Sequence, residues 1–148
     1  MIADSRTSVA FTGHRTYRGA AADALRRTVG ELYARGFRNF LSGMAVGFDL
    51  AAAEAVLELR ERAPGVRLVA AVPFRGQEMR FSPADRERFR RVLAEADSVE
   101  VLAPAYHRGC YAVRNDFLVY NARVLVAWYD GSPGGTRYTV RRALGRGL

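Results

Sequence analysis

Short apolar runs and longer amphipathic segments alternate five times along this chain. The apolar runs, rich in residues that favour strands, cover residues 8–12, 39–42, 67–74, 98–102 and 124–128. Helical patterns follow them at 25–36, 49–63, 82–96, 114–122 and 136–144. Because parallel neighbouring strands require crossover connections, this alternation predicts an α/β fold with a mainly parallel sheet of about five strands and helices on both faces. The 148 residues are expected to form one domain, 1–148.

The turns that follow the strands have an unusual composition. They read TGHR at 12–15, SGMAVGFD at 42–49, PFRGQ at 73–77 and DGSPGGT at 130–136. In open parallel sheets the carboxyl ends of the strands share one edge, and ligands bind there at the point where the strand order reverses. The sequence therefore predicts a ligand site built from these turns.

The turn after the fifth apolar run contains more glycine than a chain reversal needs. Gly134, Gly135 and Thr136 begin the predicted last helix, where backbone N–H groups attract an anion and a threonine hydroxyl adds a donor. The alternative is an ordinary glycine turn in which Thr136 caps the helix. Neither G-x-G-x-x-G nor G-x-x-x-x-G-K-[ST] occurs in the sequence, so the usual dinucleotide and Walker signatures give no support here.

The turn before the second helix contributes a second set of candidates, Ser42, Gly43, Gly47 and Asp49. Asp49 is placed either to cap the helix or to contact a ligand. Because its carboxylate would repel a phosphate, the ligand group that it would meet is a ribose hydroxyl. We therefore expect the two glycine turns to divide one nucleotide between them.

The end of the first strand supplies a third set, Thr12, Gly13, His14 and Arg15. Arg15 and Arg114 are candidates for charge-assisted pairing with a phosphate. A single loop histidine is more often structural or solvated than catalytic, so His14 is included only as a ligand-binding candidate.

The formal net charge is +8, and all 23 basic residues are arginines. Such a charge is compatible with binding to nucleic acid phosphates. Most arginines, however, have the spacing of solvated helix faces, as in Glu87, Arg91 and Glu95. Because the arginines are dispersed and we identify no aromatic-and-basic stretch typical of base stacking, we expect only weak binding to DNA and do not expect nucleic acid as a partner.

Cys110 is the one cysteine, and His14 and His107 are the two histidines. This content predicts no disulfide within the chain and no metal site. The sequence has no run of about 18 apolar residues and no apolar signal-peptide core at its start. We therefore expect a cytoplasmic protein without a membrane partner.

In combination, the segments TGHR, SGMAVGFDLAAAEAV, VPFRGQ and RNDFLVYNARVLVAWYDGSPGGT resemble the SLOG superfamily and, within it, the small YpsA/YspA-like branch. The resemblance implies a Rossmann-like three-layer sandwich and a homodimer or higher homo-oligomer. The superfamily includes LOG-type phosphoribohydrolases, which split a nucleoside monophosphate into base and ribose 5-phosphate. It also includes the DNA-processing protein DprA and proposed sensors of nucleotide-derived ligands.

The same resemblance implies roles for particular residues. Arg114 is similar to the arginine of the LOG-type M-x-x-R-K motif, and the glycine turn ending at Thr136 resembles a shortened P-G-G-x-G-T phosphate loop. LOG-type enzymes carry an acidic residue two positions after that threonine, where this chain has Tyr138. Cleavage of an N-glycosidic bond needs a carboxylate, so Asp49 or Asp130 would have to replace it. Arg114, Asp49 and Asp130 are thus the catalytic candidates.

The function expected from these observations is the binding of a nucleotide or nucleotide derivative, such as a nucleoside monophosphate or an ADP-ribose-like molecule, by a sensor or regulatory protein that requires no cofactor. The first alternative is a phosphoribohydrolase. The second is a DprA-like DNA-binding module, which the charge favours.

Overall fold

A computed structural model describes residues 4–148. Its strands are β1 Ser8–Gly13, β2 Asn39–Ser42, β3 Arg67–Val72, β4 Ser98–Val101 and β5 Val124–Trp128. Its α-helices are α1 Ala22–Ala34, α2 Phe48–Arg60, α3 Pro83–Glu95, α4 Cys110–Tyr120 and α5 Gly135–Gly145. Two short 3-10 helices, Ser5–Thr7 and Gln77–Arg80, were not predicted. Within this range no helix has both the length and the apolarity needed to cross a membrane.

All five strands are parallel, and they lie in the order β4-β3-β2-β1-β5. Val9 of β1 is in register with Phe40 on one side and with Val124 on the other. Successive strands extend from β1 outwards to β4, and β5 then returns to the opposite side of β1. The strand order therefore reverses between β1 and β5, where ligands bind in open parallel sheets.

The sheet separates two apolar layers, which confirms the predicted α/β fold with helices on both faces. Adjacent strand residues point to opposite faces, as Phe40 and Leu41 do. Phe40 packs in the larger core with residues of α1, α2 and α3, including Val29, Val56 and Phe89. On the other face a smaller cluster joins strand residues to Leu118 and Ala122 after α4. α5 lies beside α4 and contacts β1 and β5.

Most predicted boundaries agree with the structure, and the largest difference concerns α4. This helix begins at Cys110 rather than at Arg114, directly after Gly109, which has a left-handed backbone with φ 88°. Cys110, Arg114 and Leu118 are spaced four residues apart and are all buried, so the buried face of the helix extends one turn before the predicted start. Strand β3 ends at Val72 instead of residue 74 because Pro73 lacks the N–H that a ladder requires.

Candidate functional site

A cleft of about 260 Å³ opens at the carboxyl edge of the sheet, where β1 and β5 diverge. Its walls come from the turns after β1, β2 and β5 and from the first turns of α4. The lining residues are Thr12, Gly13, His14, Arg15, Ala45, Asp49, Tyr111, Arg114, Asn115, Gly135 and Thr136. Eight of the twelve predicted ligand-binding residues therefore line one cavity, although their sequence positions extend from 12 to 136.

Arg114 is held rigidly at the base of the cleft. Its side chain is buried, its Nη1 donates a hydrogen bond to the carbonyl of Gly43, and its Nε donates to Oδ1 of Asn115 at 2.8 Å. The remaining nitrogen, Nη2, makes no hydrogen bond within residues 4–148. Burial lowers the pKa of Arg114, although an arginine remains protonated in a protein. The cleft thus contains a fixed positive charge with a free donor.

Asp49 supplies the carboxylate among the lining residues. Its side chain is 5% exposed, and its Oδ2 accepts the N–H of Ala45 at 3.3 Å. Its Oδ1 has no hydrogen-bond partner in the described part of the chain. Burial raises the pKa of Asp49 to about 6, while the charges of Arg114 and Arg15 act in the opposite direction. A buried acceptor of this kind is costly unless a donor satisfies it, so the cleft is suited to a ligand that provides a hydroxyl or amine.

The glycine turn after β5 leaves the start of α5 open. Gly134 is the N-cap residue, with φ 138°, and no side chain caps the helix. A Cβ placed on Gly134 would meet no atom within 4 Å, and one on Gly135 would make only an ordinary contact with Asn115. Packing within the protein therefore does not explain why the two neighbouring residues Gly134 and Gly135 are both glycines. Thr136 is the second helical residue and not its cap, so the ordinary-cap alternative is wrong for this residue. Gly135 and Thr136 of this first turn line the cleft, and the N–H groups at a helix start favour an anion.

The glycines of the two earlier turns have a different role. A Cβ on Gly13 would lie 2.4 Å from Phe48, and one on Gly47 would lie 2.5 Å from the carbonyl oxygen of Arg15. These glycines allow the turn after β1 to pack against the start of α2. Gly43 similarly makes room for the side chain of Arg114. All three are needed for the close packing that shapes the cleft.

His14 connects the turns after β1 and β5. Its Nε2 accepts the backbone N–H of Asp130 at 3.2 Å and lies 3.0 Å from a carboxylate oxygen of the same residue. The Asp130 carboxylate also accepts the Ser132 N–H and hydroxyl, which lower its pKa. Asp130 is exposed and does not line the cleft. It orders the glycine turn, and its position gives no support to a catalytic role.

Four predicted ligand-binding residues do not line the cleft, namely Ser42, Gly43, Gly47 and Gly134. The hydroxyl of Ser42 is used within the protein, where it donates to the carbonyl of Asp49 and accepts the N–H of Met44. Ala45, Tyr111 and Asn115 also line the cleft and were not predicted. The signal for Tyr111 was its spacing of three residues from Arg114, which places both on one helix face.

A larger groove of about 530 Å³ lies between α1 and α2. Its acidic residues already pair with arginines, as Glu54 does with Arg88 at 2.6 Å and Glu58 with Arg26 at 3.5 Å. Among the described residues it contains no buried carboxylate oxygen without a hydrogen-bond partner. We therefore place the candidate site in the smaller cleft.

Residues 10–146 match the model of the YspA SLOG family. This chain belongs to that family. It is 38% identical over 94 residues to a UPF0398 protein of Shouchella clausii, and this aligned region covers 62% of this chain and 50% of the relative. It is 30% identical over 118 residues to a UPF0398 protein of Halalkalibacterium halodurans, which covers 78% of this chain and 62% of the relative. The chain thus matches only about half to three-fifths of the length of these family relatives.

Two solved structures share the fold of this family member. DNA processing protein A from Streptococcus pneumoniae gives a TM-score of 0.69 at 19% identity, covering 96% of this chain and 48% of that one. DNA processing protein A from Helicobacter pylori, whose structure concerns single-stranded DNA binding, gives a TM-score of 0.65 at 19% identity. The match covers 94% of this chain and 61% of that one. At this identity the likeness concerns the fold, and it confirms the Rossmann-like prediction.

The prediction that nucleic acid is not a partner is corrected by these neighbours, one of which is a single-stranded DNA-binding protein. The reason given for that prediction also fails in three dimensions. The segment 106–114 already places Tyr106 and Tyr111 among arginines in the sequence. The guanidinium of Arg80 lies 4.4 Å from the ring centroid of Tyr106. The guanidinium groups of Arg15 and Arg114 lie 5.5 and 5.7 Å from the ring centroid of Tyr111. The fold therefore brings Arg15 and Arg80, from distant positions, to these tyrosines.

Proposed function

We propose that this protein binds a nucleotide or nucleotide derivative in the cleft between the β1 and β5 turns, as a sensor or regulatory protein. The phosphate would lie against the start of α5 and the free Nη2 of Arg114, and a ribose hydroxyl would donate to Oδ1 of Asp49. The observation that carries this proposal is the meeting of a buried guanidinium, an unpartnered buried carboxylate oxygen and an uncapped helix start in one cavity.

The charges and the donors of the cleft suit a ligand with two different ends. Arg114 and backbone N–H groups favour an anion, whereas Asp49 repels one and accepts a hydroxyl hydrogen. The cleft volume of about 260 Å³ is slightly below the range of roughly 300–1,000 Å³ common for small-ligand pockets. It is therefore suited to the phosphate and sugar of a nucleotide, with the base extending outwards beside Tyr111.

The test is thermal unfolding with a panel of nucleoside monophosphates and ADP-ribose. A ligand at about 100 times its dissociation constant adds about 2.7 kcal/mol to the free energy of unfolding, which raises the melting temperature by several degrees. Isothermal titration calorimetry then gives the dissociation constant of any compound that shifts the transition. A panel that leaves the melting temperature unchanged at millimolar concentrations would contradict the proposal.

Single-stranded DNA is the second candidate ligand. It is favoured by the net charge of +8, by the arginine and tyrosine contacts beside the cleft, and by the fold shared with DNA processing protein A. Basic grooves with aromatic side chains are the usual means of binding single strands.

Salt dependence tests this candidate. Each phosphate neutralised on a single strand contributes about 0.7 to the slope of log K against log salt, so Arg15→Ala and Arg80→Ala should each lower the slope by about that amount. Arg123→Ala is the matched control, because Arg123 is an exposed arginine that precedes β5 at the opposite edge of the sheet. Equal slopes for all three variants would reject DNA binding at this edge.

A further inference from the structure

An aromatic surface continues outwards from the cleft, formed by Phe74, Tyr106 and Tyr111 together with Arg80; we call it the aromatic ledge. The ring centroids of Tyr106 and Tyr111 are 6.3 Å apart, and both rings contact Phe74, at 5.5 and 6.0 Å. These are ordinary distances for packed aromatic rings. Phe74 is buried and supports the two tyrosines from below.

The ledge and the cleft share one residue. Tyr111 lines the cleft and lies between Tyr106 and the cleft arginines Arg15 and Arg114. Tyr106 lies outside the cleft, and 49% of its surface is exposed. A single nucleotide whose phosphate occupies the cleft would reach Tyr111 but would leave Tyr106 uncovered.

The charge around the ledge is positive. The guanidinium of Arg80 lies 4.4 Å from the ring centroid of Tyr106 and 5.4 Å from that of Phe74. Arg75 and Arg108 are exposed in the segments 73–80 and 102–109 beside the ledge. The one acidic residue of these segments, Glu78, has a carboxylate oxygen 3.8 Å from Nε of Arg90. An exposed aromatic ring among cations suits a stacked base next to a phosphate.

We propose that the aromatic ledge stacks the base that follows the nucleotide in the cleft, so that the partner is a single strand of nucleic acid at least two nucleotides long. This inference rests on the proposed binding of a nucleotide phosphate in the cleft. Tyr111 contacts the first base and Tyr106 the second, while Arg80 neutralises the phosphate between or beyond them.

The test compares ligands of increasing length by isothermal titration calorimetry at one salt concentration. The probes are adenosine 5′-monophosphate and 5′-phosphorylated oligoadenylates of two and four nucleotides, in ribose and deoxyribose forms. Stacking on an aromatic side chain contributes about 1–3 kcal/mol per base, so the two-nucleotide strand should bind roughly 5- to 150-fold more tightly than the monophosphate.

Three variants separate stacking on the Tyr106 ring from hydrogen bonding by its hydroxyl and from the general effect of losing an exposed tyrosine. Tyr106→Ala should remove the gain in affinity with length while leaving the dissociation constant of the monophosphate unchanged, and Tyr106→Phe should keep the gain. Tyr120→Ala is the matched control, because Tyr120 is also an exposed tyrosine with an arginine, Arg146, 4.7 Å from its ring centroid, but lies at the end of α4. It should bind every probe as the parent does.

The outcomes distinguish the ledge from the cleft. If the monophosphate binds but longer strands bind no more tightly, or if Tyr106→Ala behaves like Tyr120→Ala, the ledge proposal is wrong and the cleft proposal stands. If strands bind with the expected dependence on Tyr106 but the monophosphate does not bind detectably, the ledge stands and the proposal of a free nucleotide ligand fails. If no probe binds at millimolar concentration, both are rejected.

Discussion

The side chain of Arg114 passes directly over Gly43 and donates to its carbonyl oxygen. A Cβ on Gly43 would lie 2.8 Å from Cδ of Arg114 and 2.9 Å from its Nη1, closer than real Cβ contacts. Because Arg114 is buried, its side chain has little freedom to move away. The turn after β2 therefore sets the position of the guanidinium.

Gly43→Ala should displace Arg114, lowering the free energy of unfolding by about 1–3 kcal/mol through overpacking and weakening binding of any anion in the cleft. Gly30→Ala is the matched control, since Gly30 lies within α1 with no atom near its Cβ position. That variant should be more stable by about 0.5–1 kcal/mol. Chemical denaturation measures both. A Gly43→Ala protein as stable as the parent would show that Arg114 can move freely.

The buried carboxylate of Asp49 should make stability depend on pH. Its pKa is raised from 3.8 to about 6 in the folded protein, so the folded state binds its proton more tightly than the unfolded state does. The free energy of unfolding should therefore fall as the pH rises from about 4 to about 6, and Asp49 should contribute about 3 kcal/mol to this fall. Asp49→Asn should remove this contribution. The measurement is the free energy of unfolding of both proteins from pH 4 to pH 7.

The expected sign is specific. The difference in stability, variant minus parent, should increase between pH 4 and pH 7 and be constant above about pH 7. A difference that is independent of pH would show that the pKa of Asp49 is the same in the folded and the unfolded protein. Because Oδ1 of an asparagine would accept the Ala45 N–H and direct the amide NH₂ towards the cleft, Asp49→Asn should also weaken binding of a ligand hydroxyl.

Thr136 is expected to separate the needs of the fold from those of the ligand. Thr136→Asp places a negative charge in the first turn of α5, where the helix start favours it by about 0.3–1 kcal/mol against the cost of burying a carboxylate at a position that is 7% exposed. The same charge should abolish binding of a phosphate. Thr136→Ala removes only a hydroxyl donor and should weaken binding by about 1.5–3 kcal/mol. If the aspartate variant binds the best nucleotide of the panel as the parent does, the phosphate lies elsewhere along this edge.

No appreciable release of base from nucleoside monophosphates is expected. At the position where LOG-type enzymes have an acid, Tyr138 instead donates its hydroxyl to Asp116 at 2.8 Å, and neither residue lines the cleft. Asp49 is therefore left as the carboxylate of the cleft in the described chain. Chromatography after overnight incubation measures free adenine or cytosine. Release over many turnovers that is lost in Asp49→Asn would instead identify a hydrolase with Asp49 as its carboxylate.

The alternation of apolar runs was sufficient to predict the sheet, since strands such as β2 and β5 are short, apolar and bounded by turn residues. Helix α3 could be predicted in the same way, because Ser82 is a cap residue whose side chain accepts the N–H of Asp85 and Pro83 occupies the first helical position. These features depend on neighbouring residues and on the 2.0- and 3.6-residue periods of strand and helix. The general position of the site followed from the turns after the strands, because the carboxyl ends of parallel strands share one edge.

Only the tertiary structure decided what each residue of those turns does. Gly43 and Arg114 are 71 residues apart in sequence, and their contact exists because α4 packs against the sheet beside β2. The orphan oxygen of Asp49 and the meeting of Arg80 with Tyr106 likewise arise from packing between distant segments. Local sequence specifies backbone conformation and the buried face of each element, but burial, unmet hydrogen bonds and clustered charge depend on which elements pack together. That is why the sequence by itself identified the edge that carries the candidate site, and only the packed fold distinguished the glycines needed for close packing from those with open space around them.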